Sequence, residues 1–231
     1  MANKKTIGNP NISLPWREDD YITQENSEFK EKPEKIYAVK IGRTTGIIYD
    51  WNECKKSITG YPNSKYRSFP FEEIDKAYEY LNEGSKRKPA VTKNTAVAYV
   101  DGSYNQFTKQ YGSGVVMFFD GKTIELSKSG KNEELVRMRN VGGELTAVSM
   151  AIKEAIRLGA KRIVIHHDYA GISEWANGGW NTNKNATIRY KKFIEEQNKN
   201  IKIMFQKVEA HSGDKYNDMA DKLAKQSVGI K

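Results

Sequence analysis

The stretch that most constrains this chain is Ala96-Val97-Ala98-Tyr99-Val100-Asp101-Gly102-Ser103-Tyr104. It reads as an apolar, β-rich strand that ends on a carboxylate. A carboxylate at the end of a buried strand is costly unless something positive meets it. Gly102, next in line, predicts a turn, since glycine carries no Cβ penalty. A second run, Ile163-Val164-Ile165-His166-His167-Asp168, repeats the pattern. Its continuous apolar core is that of a strand buried on both faces. If the two strands are parallel neighbours, Asp101 and Asp168 emerge together at the carboxyl edge of the sheet, where open α/β sheets place ligands.

A helix predicted from about Gly142 to Leu158 adds Glu144 near its start. Val148, Ala151 and Ala155 share its face, so the carboxylate tops the stripe that packs on the sheet. A last helix, Tyr216 to Ser227, carries Asp218 and Asp221, three apart and adjacent on its surface. Like charges about 4 Å apart repel by on the order of 4 kcal/mol at an effective dielectric near 20. Oxygen donors without a thiolate cluster point to hard divalent cations, Mg²⁺ first and Mn²⁺ second. Two such ions can clamp a phosphodiester for in-line attack by water.

Composition narrows the partners. Net charge is +9 over 231 residues, which favours a polyanion, nucleic acid first. A single cysteine, Cys54, excludes a disulfide framework and an all-thiolate metal site. No apolar run approaches membrane length and no signal peptide is legible, so a cytoplasmic monomer away from membranes is expected.

In order, residues 1–33 read as a flexible polar leader. Residues 34–83 form a small α/β unit: strand Ile36–Ile41, turn Gly42–Gly46, strand Ile47–Tyr49, a helix capped by Asp50 or Asn52, strand Lys65–Phe69, and a helix from Phe71. Lysine and arginine outnumber acids there, and Tyr37, Trp51 and Tyr66 offer flat faces for bases or sugars. A small core accounts equally well for Tyr37. Residues 84–94 are a basic linker. Residues 95–231 hold the strands and helices above, in the order β-β-β-α-β-α-α-β-α, a mixed five-stranded sheet with flanking helices. His166 and His167 are read as structural. Trp175, Trp180 and Asn181 are weaker candidates for a phosphate contact than Thr182 and Asn183.

Two resemblances follow from these motifs. Gly42-Arg43-Thr44-Thr45-Gly46, Trp51-Asn52-Glu53-Cys54, Tyr61-Pro62 and Tyr66-Arg67-Ser68-Phe69 resemble the hybrid-binding domain of type 1 ribonucleases H. That resemblance implies that Trp51 and Tyr66 contact the DNA strand and that Arg67 meets phosphate or the RNA groove; a second basic residue of the family's pair is replaced by Ser68. Asp101-Gly102-Ser103, Gly142-Gly143-Glu144, His167-Asp168-Tyr169 and His211-Ser212-Gly213-Asp214 through Asp221 resemble the catalytic domain of the same family. It implies an α/β ribonuclease H-like fold and metal-binding carboxylates at Asp101, Glu144, Asp168 and Asp221. It also implies a loop histidine, His211, for proton transfer or product release, and a minor-groove contact at Asn140. Asp221 is favoured over Asp218 because the family places that aspartate ten residues after the histidine. The implied activity is two-metal endonucleolytic cleavage of RNA in RNA/DNA hybrids, leaving 5′-phosphates. A catalytically dead hybrid-binding module, a transposase-like DNA nuclease and a purely structural protein are the rivals. The intact carboxylate set argues against the first. The N-terminal motif and histidine loop argue against the second, and the carboxylate convergence against the third.

Overall fold

The computed structural model describes residues 22–26, 33–82, 94–120, 122–208 and 215–230. His211 and nearly all of the linker lie outside them. The small unit holds β2 (Lys35–Ile41), β3 (Gly46–Ile48) and β4 (Lys65–Pro70) in an antiparallel sheet of order β3-β2-β4. Helix α1 (Trp51–Ile58) starts where Asp50 accepts a hydrogen bond from the Glu53 amide at 3.0 Å. Such a cap stabilises a helix by about 1 kcal/mol. A 3-10 turn at Phe71–Glu73 leads into α2 (Ile74–Asn82).

The larger unit is built on β5 (Thr95–Asn105), β6 (Gln110–Phe119), β7 (Lys122–Gly130), β8 (Arg162–His167) and β9 (Lys202–Lys207). Its helices are α3 (Glu133–Val136), α4 (Asn140–Arg157), α5 (Gly171–Asn177), α6 (Asn185–Gln197) and α7 (Lys215–Ser227). The five expected strands are joined by a sixth, β1 (Ile22–Asn26), giving the order β1-β7-β6-β5-β8-β9. β1 is a strand within the stretch read as a flexible leader. It pairs antiparallel along the edge of β7, from Ile22 opposite Ser127 to Asn26 opposite Thr123.

Two corrections concern the site. Gly102 is not a turn, because β5 continues through it and pairs Gly102 with Ser113. A Cβ there would collide with the Asn140 carbonyl and the Glu144 amide. The glycine serves close approach of a helix, a role that glycine within a strand commonly has. Helix α4 also begins at Asn140, two residues before the expected Gly142. No helix among the described residues is long and apolar enough to cross a membrane.

Alternation along β5 divides the core. Ala96, Ala98 and Val100 face α4 in one cluster, with Leu145, Val148 and Ile152. Val97 and Tyr99 face the other way, into a cluster shared with Val116, Phe118 and Val164, with Tyr216 and Ala220 of α7, and with Ile47, Tyr49 and Phe71 of the small unit. The rings in this second cluster meet edge-on or tilted, as at Tyr49–Tyr99 and Phe71–Phe118, 5.6 and 5.7 Å apart. Such pairs contribute about 0.5–1.5 kcal/mol each beyond the area they bury.

Candidate active site

β5 and β8 are parallel neighbours, and Tyr99 lies opposite His166. Two residues on, Asp101, still within β5, and Asp168, just past the end of β8, therefore lie at the same level. Glu144 comes from the other direction, on the first turns of α4. That helix can sit so low because main chain meets main chain. A Cβ on Gly143 would strike the Gly112 carbonyl, as one on Gly102 would strike α4. The Ser113 hydroxyl fixes the contact by donating to the Gly143 carbonyl at 2.8 Å.

The result is a group of three carboxylates, Asp101, Glu144 and Asp168, whose ligand atoms lie within 4.8 Å of one another. Glu144 is buried, and its Oε2 has no hydrogen-bond partner among the described residues. Burial, followed by the charges of Asp101 and Asp168, holds its carboxyl well above the usual range. Asp101 is pushed up to about 7, first by burial and then by Asp168; the Gly102 amide, donating at 2.6 Å, opposes this. Burial and the charge of Glu144 also raise the Tyr169 phenol.

Asp221 stands beside this group on α7. Its charge reaches Asp101, while its Oδ2 accepts from Lys225 Nζ at 2.7 Å. Asp218, one turn earlier, acts on the same lysine. An all-oxygen donor set, mutual repulsion and a buried oxygen lacking a donor together fit a hard divalent cation.

Next to the carboxylates a groove of about 360 Å³ is lined by Arg137, Arg139, Asn140, Asn181, Asn183 and Lys184, among others. On the small unit, Trp51 and Tyr66 are 42% and 41% exposed. Tyr37 is half-buried, its ring 5.1 Å from that of Trp51, which is 6.1 Å from Tyr66. Arg67 is exposed and lies 5.1 Å over the Tyr80 ring.

Residues 93–229, more than half of the chain, match the family model of RNase H, and residues 35–81 match that of the Ribonuclease H1 N-terminal domain. The chain belongs to the ribonuclease H family. Human Ribonuclease H1 is similar at 22% identity over 259 residues, spanning 84% of this chain and 89% of the human protein. Ribonuclease H of Chromobacterium violaceum is 29% identical over 150 residues, 59% of this chain and 97% of that protein. A solved structure, RNase H1 of Halobacterium salinarum, matches with a TM-score of 0.49 at 20% identity, over 58% of this chain and 97% of that one.

In this ribonuclease H the structure brings together three of the four carboxylates picked out from the sequence, Asp101, Glu144 and Asp168. The structure sets Asp221 beside them, and His211 lies outside the described residues. His166 and His167 are buried, and His167 Nδ1 lies 2.9 Å from the Tyr169 carbonyl, in keeping with a structural role. Of the two favoured phosphate candidates, Asn183 lines the basic groove and Thr182 does not; of the weaker three, Trp175 and Asn181 line it and Trp180 does not. Sequence reasoning missed Arg137 and Arg139. Their signal was legible: two arginines spaced by one residue, immediately before Asn140 and the helix that carries Glu144. It also missed Lys225, which sits one helical turn after Asp221.

Proposed function

We propose that this ribonuclease H hydrolyses the RNA strand of RNA/DNA hybrids by a carboxylate-held, two-metal route. The observation that carries the reading is the group formed by Asp101, Glu144 and Asp168, with a buried Glu144 oxygen that has no hydrogen-bond partner among the described residues. Two Mg²⁺ ions are the natural occupants, with Mn²⁺ able to substitute, because both prefer hard oxygen ligands. When bound, such ions supply Lewis-acid polarisation of the scissile phosphate and a water of lowered pKa.

The chain's own residues do the rest. Asp101, Glu144 and Asp168 would hold the ions, and Asp221, paired with Lys225, would be a further ligand. Arg137, Arg139 and Lys184 meet backbone phosphates in the adjoining groove. Asn140, at the start of α4, reads the minor groove, where 2′-hydroxyls distinguish RNA from DNA. Tyr37, Trp51, Tyr66 and Arg67 bind the hybrid outside the cleavage site. His211 serves proton transfer or product release, and the products carry 5′-phosphates.

The test is cleavage of an end-labelled RNA/DNA hybrid with Mg²⁺, comparing the parent with Asp101→Asn and running RNA/RNA and DNA/DNA duplexes alongside. Hybrid-only cutting that disappears in the variant supports the reading. Binding without cutting moves it to a binding module, and cutting of DNA/DNA overturns it.

A further inference from the structure

We propose that the N-terminal unit is docked on the catalytic sheet as part of one rigid body, so that the aromatic face of Tyr37, Trp51 and Tyr66 and the carboxylate site form a single surface of fixed spacing for one hybrid. The functional half of this proposal rests on the hybrid-cutting reading above.

The sheet's second face makes the case for docking. Val97, Tyr99, Val116, Phe118, Val164 and His166 are all buried there. Tyr216 and Ala220 of α7 cover part of it, and Ile47, Tyr49 and Phe71 of the small unit belong to the same cluster. The Tyr49 ring alone lies 5.6 Å from Tyr99, 5.4 Å from His166 and 6.4 Å from Tyr216. Undocking would expose a continuous apolar and aromatic face on both partners, of a kind that soluble domains rarely leave open to water.

Polar contacts set the register of the interface. Gln206 Nε2, on β9, donates to the Ile47 carbonyl at 3.0 Å. Gly46, next to it, sits at φ +120°, and a Cβ there would run into the Gln206 side chain. The chain is also anchored on both sides of the small unit, by β1 on the edge of β7 before it and by β5 after it. Docking thus does not depend on the linker.

The seam between the units is itself a feature. A groove of about 400 Å³ is lined by Lys35, Tyr37, Tyr49 and Trp51 on one side and by Lys215 and Tyr216 on the other. Flat rings and lysines suit a nucleic-acid strand, with bases or sugars on the rings and phosphates at the ammonium groups. Glu34 and Asp50 also line it, which disfavours phosphates beside those two carboxylates. Lys215 opens α7, and Asp221 follows six residues later on the same helix, a rise of about 9 Å. One helix therefore connects the seam to the carboxylates, and the occupant the surface fits is the DNA strand of the hybrid being cut.

The experiment lengthens the linker of the full chain by about 20 Gly/Ser residues between Lys86 and Arg87. Docked units give an unchanged product ladder on an end-labelled hybrid and an unchanged Kd. Freely tethered units give a shifted, broader ladder and a Kd weakened by roughly fivefold, as effective concentration falls with linker length, and that result overturns the proposal. A second measurement is independent of catalysis. A protease site placed in the same linker is cut, and the nicked protein is run on gel filtration. Co-elution of the two fragments supports docking, and separate elution refutes it. A parent that cuts no hybrid but whose fragments co-elute keeps the docking and overturns the cutting reading.

Discussion

Asp101 within β5, Asp168 just past β8 and Glu144 on a packed helix are largely covered, whereas Trp51, at the start of α1, and Tyr66, on β4, stand two-fifths exposed. The contrast follows from what each group must do. Carboxylates that are to hold a cation must stay close together despite repulsion, and only rigid, buried elements can impose that. Rings that are to stack on bases must meet their partner in water, so they project from a small unit whose apolar side is used up in docking. One region holds charges against their preference, and the other leaves apolar surface open against its own.

The largest effect expected from this contrast is on the buried side. Asp101→Asn or Glu144→Gln lowers the hybrid cleavage rate by about 10³-fold or more, because several kcal/mol of transition-state stabilisation are lost with the ions. Hybrid affinity in the absence of metal stays within about twofold, since phosphate and stacking contacts supply it. Chelation of divalent ions reproduces the loss in the parent. Initial rates and a gel-shift titration measure both.

On the exposed side, Trp51→Ala weakens hybrid binding by about 5- to 150-fold, the loss of one base stack of roughly 1–3 kcal/mol. The rate at saturating hybrid stays at the parent value. If kcat falls with Kd, the division between a chemical and a binding region breaks down.

The third expectation concerns stability without metal. The carboxyl of Asp101 titrates near 7 in the folded chain, above its ordinary 3.8. A raised folded pKa means that ionisation opposes folding. The cost is absent below about pH 4, grows from there to about pH 7, and is fully present above that. Asp101→Asn accordingly raises the thermal midpoint of the metal-free protein by roughly 5 °C at about pH 8, and the gain vanishes near pH 4. A midpoint that is unchanged at high pH would show that burial and its acidic neighbours impose no cost on the Asp101 carboxylate.

The smallest effect belongs to Lys225. It pairs with Asp221 at the helix surface, 43% exposed. Such pairs stabilise by about 0.3–0.5 kcal/mol, so Lys225→Met shifts the unfolding free energy by no more than that. The same variant frees the Asp221 carboxylate and lowers the Mg²⁺ concentration needed for half-maximal cleavage.

Much of this site was legible because local and global signals agree. Apolar runs ending on aspartate gave Asp101 and Asp168, and the stripe below Glu144 pointed it at the sheet. What escaped was non-local. Ile22–Asn26 has no apolar period, and it is a strand only because the edge of β7 offers backbone partners. Gly102 looks like a turn until α4 is laid against it. Tyr49 and Phe71 look like the private core of a small unit, and nothing near them in the chain says that Tyr99, Phe118 and Tyr216 complete that core. Arg137 and Arg139 carried a legible local signal just before Asn140, but only the fold shows that they share a groove with Asn181 and Asn183.

The bare contact of Gly102 and Gly143 with neighbouring main chain has one more consequence. The gap between Asp101 and Glu144 is gauged by two backbones touching, so side-chain repacking elsewhere in the core leaves it unchanged. An alanine at either position acts as a shim that lifts the helix from the sheet and opens the gap by the thickness of a methyl group. The spacing of the carboxylates proposed to hold the ions is thus written in two missing carbon atoms.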